Sequence, residues 1–331
     1  MEATRGPWID VHAHPGRCFL AGLARTDPLA ASLGGEDAAA ALSAAQEAGL
    51  TAVTLSTVAD LRVLAPDPVR GLSASRQFRP GEAYRDHRRQ LDGISEVIAA
   101  AGARLARTAA DVAAAQADGR TGVLIACEGG DFLEGSLEPL AEARAAGMSS
   151  LALVHYRVNE IGDVQTEDPL HHGLTDFGRQ VVAECNRLGV IVDCAHATFA
   201  TTLDVLAESD QPVIISHSHL DHADRHHPRL LSSEHARAVA SAGGLIGAWP
   251  SGVTSSSLED FAAEIVRLAE LVGPDHVGIG TDLDANYKPV LRSYADYATL
   301  PRLLASRGVS GTDIDKIMGG NALTLLRRVS G

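Results

Sequence analysis

Seven residues that can bind a metal ion or transfer a proton lie where short apolar runs of the sequence end. The first run, WIDVHAH at residues 8–14, closes with two histidines one residue apart. The seven residues are His12, His14, Glu128, His155, His196, His217 and Asp282. Imidazole and carboxylate groups in combination are typical of metal-dependent hydrolysis. Any one of them is more often structural than functional, so the prediction depends on the whole set.

The spacing of the histidines predicts a site for two cations. Side chains alternate between the two faces of a strand, so His12 and His14 can bind one cation from the same face. His196 and His217, at the ends of two successive apolar runs, can bind a second cation. Two neighbouring cations repel each other, and an anionic group must therefore bridge them.

Glu128 is the best candidate for that bridge. Many metal hydrolases use a carboxylated lysine instead, but no lysine precedes Lys288 in this sequence. Glu128 offers two oxygens, and the glycines that follow it in IACEGG let the backbone approach the site closely. Imidazole and carboxylate ligands without a thiolate favour two zinc ions, with manganese, iron and cobalt as alternatives.

Two further residues suit the reaction itself. Asp282, in GIGTDLDA, is expected to act as a general base toward a water on the metals. The alternative role is a helix N-cap, which suits Asp284 better, and Asp284 is the second choice for the chemistry. His155 is expected to polarise a carbonyl, with a fifth metal ligand as the alternative. Four other histidines are predicted to be solvated loop residues, namely His219, His222, His226 and His227.

The elements that would position these residues alternate along the chain. Eight short runs rich in Val, Ile and Leu are expected to be strands, and most are followed by a longer stretch with helical periodicity. Runs that are apolar on both faces suit parallel strands covered by helices. Eight such units predict an α/β protein with a closed (β/α)8 TIM barrel, and a doubly wound open sheet is the alternative. In a barrel the ends of the strands converge on one rim, so the seven residues would meet there.

The chain is expected to form one domain over residues 1–331, because no Pro- or Ser-rich linker divides it. Two irregular segments, residues 61–83 and 219–231, are predicted to be long loops. Loops that follow barrel strands surround the catalytic face. Substrate preference is therefore expected to depend on these two segments.

Composition excludes several classes of partner. The formal net charge of −14 argues against nucleic acid, because phosphate binding requires clustered Lys and Arg. No basic leader precedes an apolar segment, and no apolar run approaches the roughly 18 residues that cross a membrane. We therefore predict a cytoplasmic protein without a membrane partner. The four cysteines show no CxxC spacing and are expected to be buried free thiols.

With these residues identified, the sequence resembles the membrane (renal) dipeptidase family, the M19 metallopeptidases of the amidohydrolase superfamily. The resemblance follows ordered motifs over nearly the whole chain, namely HGLTDFGRQVVAECNRLGVIVDCAHAT, PVIISHSH, HVGIGTDLDA and GGNAL. It implies a binuclear dipeptidase that hydrolyses the amide bond of dipeptides or dipeptide-like compounds through a metal-bridging hydroxide. Members of the family often form dimers, so the resemblance also suggests a homodimer.

The resemblance implies a ligand set in which His12 and Glu128 hold the first zinc. Glu128, His196 and His217 would hold the second. One position departs from the family pattern, because the first motif usually reads His-x-Asp and His14 stands here in place of the aspartate. Replacing a carboxylate with a neutral imidazole makes the site about one charge more positive, which is expected to acidify bound water and to change metal selection.

Roles toward the substrate also follow from the resemblance. His155 would bind the scissile carbonyl and its developing oxyanion, and Arg229, in HPRLLSSE, would bind the free carboxylate of the substrate. Asp282 would take a proton from the bridging hydroxide and pass it to the leaving amine. Asn159 and Asp163 match polar positions after the family's substrate histidine, and Asn159 is expected to contact the substrate.

Two other functions stay open from the sequence. A related hydrolase could act on N-acyl amino acids, lactams or lactones. Arg229 distinguishes this hydrolase from a dipeptidase, because Arg229 suits a substrate with a free α-carboxylate. A non-catalytic metal-binding barrel is the alternative from another class. Bound metal would separate that alternative from both enzymes.

Overall fold

The structure is a computed structural model that describes residues 6–24, 26–34, 36–68, 71–224 and 226–331. Eight parallel strands close into a barrel in which each strand pairs with the next and the eighth pairs with the first. In chain order they are β1 (Ile9–Ala13), β2 (Ala52–Val58), β3 (Gly122–Glu128), β4 (Met148–Ala152), β5 (Ile191–Asp193), β6 (Ile214–Ser218), β7 (Leu245–Ala248) and β8 (Val277–Ile279).

Helices cover the outside of the barrel and follow its strands. They are α1 (Pro28–Leu33), α2 (Ala38–Glu47), α3 (Glu82–Ala100), α4 (Ala109–Ala117), α5 (Glu138–Ala146), α6 (Asp176–Leu188), α7 (Phe199–Glu208), α8 (Ser233–Ser241), α9 (Leu258–Val272), α10 (Tyr294–Tyr297), α11 (Leu300–Ala305), α12 (Gly311–Asp315) and α13 (Asn321–Ser330). Short 3-10 helices occupy Pro15–Leu20, Asp131–Leu133 and Pro274–His276, and a π-helix, Lys316–Gly320, leads into α13. None of the helices in the described part of the chain is long and apolar enough to cross a membrane.

Serine and threonine residues start four of the helices that follow barrel strands. The hydroxyls of Thr175 and Thr198 accept a backbone N–H three residues on, at the start of α6 and α7. Ser232 and Ser257 do the same for α8 and α9. Such caps satisfy an otherwise unpaired N–H and fix where the helix begins. They therefore set the length of each loop at the rim that the strands point toward.

Two glycines allow neighbouring strands to pack closely against β6, the strand that carries His217. A Cβ added at Gly247 would lie 1.8 Å from the carbonyl oxygen of Ser216, and one at Gly280 would lie 1.9 Å from the same atom. No other residue type fits at these distances. The two glycines let β7 and the end of β8 pack tightly against the residue that precedes His217.

The closed barrel confirms the predicted (β/α)8 class and excludes the open doubly wound sheet. All eight predicted strands are present, and the four cysteines are free and buried. The segment 61–83 differs from the predicted loop, because Leu64–Asp67 and Gly71–Ala74 pair as an antiparallel hairpin. Helices α1 and α4 and the short strand Arg104–Leu105 were not predicted. Residues 69, 70 and 225 of the two irregular segments lie outside the described residues.

Candidate active site

Glu128, at the end of β3, lies among four histidine side chains. Its Oε1 is 3.3 Å from His12 Nε2 and 3.2 Å from His196 Nε2, and its Oε2 is 3.2 Å from His14 Nε2. His217 Nε2 lies 3.6 Å from Oε1 and 3.1 Å from His196 Nε2. All five side chains are buried. The structure thus brings together the five residues that the sequence predicts as metal ligands.

Backbone hydrogen bonds between β1 and the segment after β8 bring Asp282 to this cluster. The N–H of Asp282 donates to the carbonyl of His12 at 2.8 Å, and the N–H of His14 donates to the carbonyl of Leu283 at 2.9 Å. Asp282 Oδ1 therefore lies 3.5 Å from His14 Nε2 and 4.0 Å from His12 Nε2. The predicted general base thus lies beside the predicted first metal site.

Outer hydrogen bonds orient the imidazole rings. His14 Nδ1 lies 3.1 Å from the carbonyl oxygen of Ser56, to which it can only donate. His217 Nδ1 lies 3.1 Å from the hydroxyl of Ser216, whose backbone N–H donates to Asp193 Oδ1 at 3.0 Å. A partner at Nδ1 leaves Nε2 of the same ring to face the cluster, as is usual for a metal-binding histidine.

The cluster contains buried nitrogens that the described residues do not satisfy. Nε2 of His12 and of His14 has no hydrogen-bond partner in the described part of the chain, and such buried polar atoms are rare. His12, His14 and Glu128 offer three ligand atoms within 4.8 Å of one another, and Glu128, His196 and His217 offer three more. Imidazole and carboxylate donors suit divalent transition metals, so the residues present fit two ions that share Glu128.

His155, which follows β4, lies on another side of Glu128. Its Nε2 is 3.4 Å from Glu128 Oε2, and its Nδ1 donates to Asp60 Oδ1 at 2.7 Å. Asp60 also accepts the backbone N–H of Tyr156 at 3.1 Å. Burial lowers the pKa of His155, but the carboxylates of Asp60 and Glu128 outweigh burial and raise it. These carboxylates favour the protonated ring, whose Nε2–H faces the cluster.

Trp249, which follows β7, holds Asp282 in place. Its indole N–H donates to Asp282 Oδ2 at 3.2 Å, so Oδ1 is the oxygen that faces the histidines. Burial raises the pKa of Asp282, and the nearby rings of His14 and His12 offset part of that increase. A carboxyl group with a raised pKa accepts a proton more readily than an exposed one.

Several residues around the cluster have a strained backbone. His196 has φ 66° and Asp282 has φ 52°, in the left-handed region that glycine normally occupies. Arg17 and Asp284, which line the same cavity, have φ 57° and 67°. A non-glycine residue in this region costs about 1–3 kcal/mol, and such residues concentrate at functional sites.

The loop after β6 places Arg229 beside His217. The hydroxyl of Ser218 donates to the carbonyl of Arg229 at 2.7 Å and fixes the backbone there. The guanidinium is buried, with Nη2 at 2.9 Å from His217 Nε2 and Nη1 donating to Gln165 Oε1 at 2.8 Å. It also lies 5.7 Å from the ring of Trp249. A buried cation beside the cluster is suited to bind a substrate carboxylate.

A cavity of about 480 Å³ lies over the cluster. Tyr156, Arg229 and Trp249 line it on the side of His217. Apolar residues from the segments after β1 and β2 form much of the remaining lining, namely Phe19, Leu29, Leu33, Leu61, Leu64 and Leu72. The size and lining are typical of a site for a small organic molecule.

Asn159 and Asp163 are not among the described residues that line this cavity. The side chain of Asn159 donates to the carbonyl of Leu153 at 2.9 Å and accepts the N–H of Ile161 at 2.9 Å. The carboxylate of Asp163 accepts the N–H of Leu170 at 2.8 Å. Both side chains brace the loop after β4, and the structure therefore places Asn159 away from the expected substrate contact.

The prediction that His219 is a solvated loop histidine is wrong. The ring is buried against Phe261 of α9, with ring centroids 6.2 Å apart, and its Nδ1 lies 3.7 Å from Glu264. His222 is half-buried and lies 3.0 Å from the same carboxylate, whereas His226 is largely exposed. His219 follows directly after β6, which ends at Ser218, and its ring turns toward α9 instead of solvent.

Asp60 and Trp249, which hold the two predicted catalytic residues, were missed in the sequence. Both follow barrel strands, β2 and β7, that end in none of the seven residues predicted from the sequence. A polar or aromatic residue within two positions of the strand end is the sequence signal for both. Gln165, the partner of Arg229, lies in the loop after β4, and no sequence pattern indicates it.

Comparison with known proteins gives consistent matches. The chain matches the membrane dipeptidase family (peptidase family M19) over residues 37–331, a span that begins after β1 and so does not include His12 and His14. It is 30% identical over 260 residues to dipeptidase tcpJ of Claviceps purpurea (strain 20.1), covering 75% of this chain and 60% of that protein. It is 31% identical over 258 residues to dipeptidase verJ of Clonostachys rogersoniana, covering 75% and 66%. The chain thus spans less than two thirds of the length of these relatives.

A solved structure with the same fold extends over the whole barrel. A metallopeptidase from Rhodobacter sphaeroides, crystallised with a phosphinate mimic of the dipeptide L-Ala-D-Ala, superimposes with a TM-score of 0.81 at 21% identity. The superposition covers 98% of this chain and 99% of that chain. Because the family match covers most of the sequence, the chain belongs to the membrane dipeptidase family, peptidase family M19.

Proposed function

We propose that this chain is a metal-dependent dipeptidase, which hydrolyses the amide bond of dipeptides or dipeptide-like compounds. Family membership supports the class of reaction. The observation on which the proposal depends most is the position of Glu128, whose oxygens lie within 3.6 Å of five imidazole nitrogens, four of them from the proposed metal ligands. Two of those nitrogens have no hydrogen-bond partner in the described part of the chain.

The proposal includes two divalent cations, with zinc as the first choice. His12, His14 and Glu128 would hold one, and Glu128, His196 and His217 would hold the other. When bound, two such cations lower the pKa of a water molecule held with them, polarise the substrate carbonyl and spread the negative charge of the transition state.

In the proposed reaction, Asp282 transfers the proton. Trp249 holds Oδ2 of Asp282, so Oδ1 is the atom that takes the proton from the attacking water. The same oxygen then gives the proton to the leaving amine nitrogen. Because Oδ1 lies beside His14, it is at the edge of the cluster, where the water attacks and the amine leaves.

His155 and Arg229 orient the substrate in this proposal. Asp60 holds Nδ1 of His155, and the N–H at Nε2 is therefore directed to the carbonyl oxygen, where negative charge develops. Arg229 pairs with the free α-carboxylate of the substrate through two parallel hydrogen bonds and gives up its contact with His217. The amide bond that joins the two residues of the dipeptide then lies over Glu128.

Metal removal and reconstitution test the proposal. We expect the purified protein to hydrolyse L-Ala-L-Ala or L-Ala-D-Ala, to lose that activity in a chelator, and to recover it with two equivalents of zinc, manganese or cobalt. His196→Asn is expected to lower the metal content, whereas His226→Asn, a change at an exposed histidine, is expected to leave it intact. Full activity in protein without metal would contradict the metal requirement. A reconstituted protein that hydrolyses neither peptide would contradict the dipeptidase assignment.

A further inference from the structure

The two sides of the cavity differ in chemistry. On the side of His217, the guanidinium of Arg229 lies 2.9 Å from that ring and 5.7 Å from the ring of Trp249. On the side of His14, the ring of Phe19 packs edge-on with ring centroids 5.2 Å apart. An apolar surface therefore begins directly at the cluster and extends away from Arg229.

Three separate elements form this apolar wall. Phe19 comes from the 3-10 helix after β1, Leu33 from α1, and Leu64 and Leu72 from the hairpin after β2. Beneath them Phe19 packs in a buried cluster with Leu20, Val58 and Leu61, so its position is fixed. Leu33 is 40% exposed, and Leu64 and Leu72 are half-buried. Partly exposed leucines beside a cavity gain free energy when an apolar group covers them.

The charged groups described on this wall are already paired. Arg17 donates to the carbonyls of Leu33 and Gly34 through Nη1, and to the carbonyl of Asp284 at 3.2 Å through Nε. The carboxylate of Asp284 accepts the N–H of Gly16 at 2.6 Å. A charged side chain of a substrate would lose its hydration here and would have to displace these hydrogen bonds in order to pair, which is costly.

We propose that the acyl half of the substrate, the residue whose carbonyl is attacked, has a large apolar side chain such as that of leucine, methionine or phenylalanine. The inference rests on the proposed function, because it takes Arg229 as the site of the free carboxylate and His155 as the site of the carbonyl. With both groups in place, the first residue of a dipeptide is directed to Phe19 and Leu64. The wall then covers its side chain.

Matched dipeptides test the inference. Leu-Ala, Ala-Ala and Glu-Ala, each with an L and a D second residue, are compared by kcat/KM at equal metal content. We expect Leu-Ala to exceed Ala-Ala by about tenfold or more, since even one methylene group in an apolar pocket is worth that much. Glu-Ala is expected to be the poorest substrate of each series.

Variants of the wall sharpen the test. Leu33→Ser and Leu64→Ser are expected to lower the Leu-Ala to Ala-Ala ratio by about threefold or more, because each removes part of the apolar surface. Leu203→Ser is the matched control, because Leu203 is 46% exposed and lies on α7, away from the cavity lining. It is expected to leave the ratio unchanged. Circular dichroism and melting temperature verify that each variant folds.

Three results would overturn the inference. Equal kcat/KM for Leu-Ala and Ala-Ala would do so, as would a preference for Glu-Ala through displacement of Arg17 from its carbonyl partners. An unchanged ratio in both wall variants would show that the wall does not select the side chain. Each of these leaves the proposed function intact, whereas no hydrolysis of any of the six peptides overturns both.

Discussion

The two ends of the barrel differ in which of the described residues adopt a positive φ, because glycines do so at both ends and other residues only where the strands end. Six of the turns that lead from a helix into a barrel strand contain a glycine with positive φ, namely Gly49, Gly119, Gly147, Gly189, Gly243 and Gly273. All the non-glycine residues with positive φ in the described chain lie in segments that follow a strand, namely Arg17, Glu134, His172, His196, Asp282, Asp284 and Lys288. Glycine adopts this conformation without strain, whereas the other residues do so at a cost.

The buried side chains at the two ends of the barrel also differ in polarity. Where the strands begin, Ile9, Leu124, Ile214 and Leu245 belong to an apolar cluster that includes residues of α13. Where the strands end, buried imidazoles and carboxylates gather, and Nε2 of His12 and of His14 has no hydrogen-bond partner in the described part of the chain. Apolar burial stabilises the fold, and buried polar atoms oppose it unless a ligand satisfies them. We therefore predict that substitutions where the strands begin change stability and that substitutions where the strands end change activity.

The largest effect is expected from Glu128→Gln, which removes the shared anion of the cluster. Hydrolysis should fall by at least about a thousandfold, because the charge that offsets both cations is lost. Metal analysis should find at most one ion per chain, and the far-ultraviolet circular dichroism should be unchanged. A variant with normal metal content and activity would contradict the central place of Glu128.

Asp282→Asn should lower kcat by about 10²–10⁴-fold, the usual range for loss of a general acid–base group. Its metal content should equal that of the unchanged protein, because no metal ligand is altered. Asp284→Asn is the comparison variant, since Asp284 binds the N–H of Gly16 and is the second choice for the chemistry. If Asp284→Asn lost more activity than Asp282→Asn, the roles would be reversed.

Leu326→Ala tests the opposite end of the barrel. Leu326 is buried in the apolar cluster of α13, and truncation should reduce the free energy of unfolding by about 2–5 kcal/mol. Urea unfolding measures that loss, and kcat/KM at 25 °C should be unchanged. Loss of activity in a variant that is still fully folded would show that the two ends are coupled.

The two tryptophans of the chain lie at opposite ends of the barrel and form a matched pair. Trp249→Phe removes the indole N–H that holds Asp282 and should lower kcat by about tenfold, since a hydrogen bond to a charged group contributes about 1.5–3 kcal/mol. Trp8→Phe, just before β1, should change stability and leave kcat unaltered. Equal kcat in both variants would show that the indole N–H of Trp249 does not assist Asp282.

Gly119→Ala should have the smallest effect. Gly119 has φ 68°, and a Cβ there would meet no atom within 4 Å, so backbone strain is the whole cost. We expect a loss of about 1–2 kcal/mol in the free energy of unfolding and no change in activity. A change in kcat would contradict the separation between the two ends.

The sequence predicts the barrel and the cluster well because both depend on simple periodic rules. Each strand is a short apolar run, and a polar residue at its end lies on the common rim, as His196 and His217 do. The hairpin after β2 was missed because LAPDPVRGLSA contains two prolines and no alternation of apolar and polar residues. Helix α4 was missed because its buried face is formed mainly by alanines, such as Ala109 and Ala115.

The direction of individual side chains could not be predicted by the same rules. Asn159 turns into its own loop because the carbonyl of Leu153 and the N–H of Ile161 pair with its amide. His219 turns toward α9 because its strand has already ended. The contact of His219 with Phe261 joins segments that are far apart in sequence, and the local hydrogen bonds of Asn159 follow no periodic pattern of the sequence.

The most direct test of the account is an anomalous difference map from crystals grown with zinc and measured at the zinc absorption edge. We expect two peaks at the carboxyl ends of the strands, one beside His12 and His14 and one beside His196 and His217, with Glu128 at both. No peak at Glu128, or zinc found only elsewhere on the chain, would contradict it.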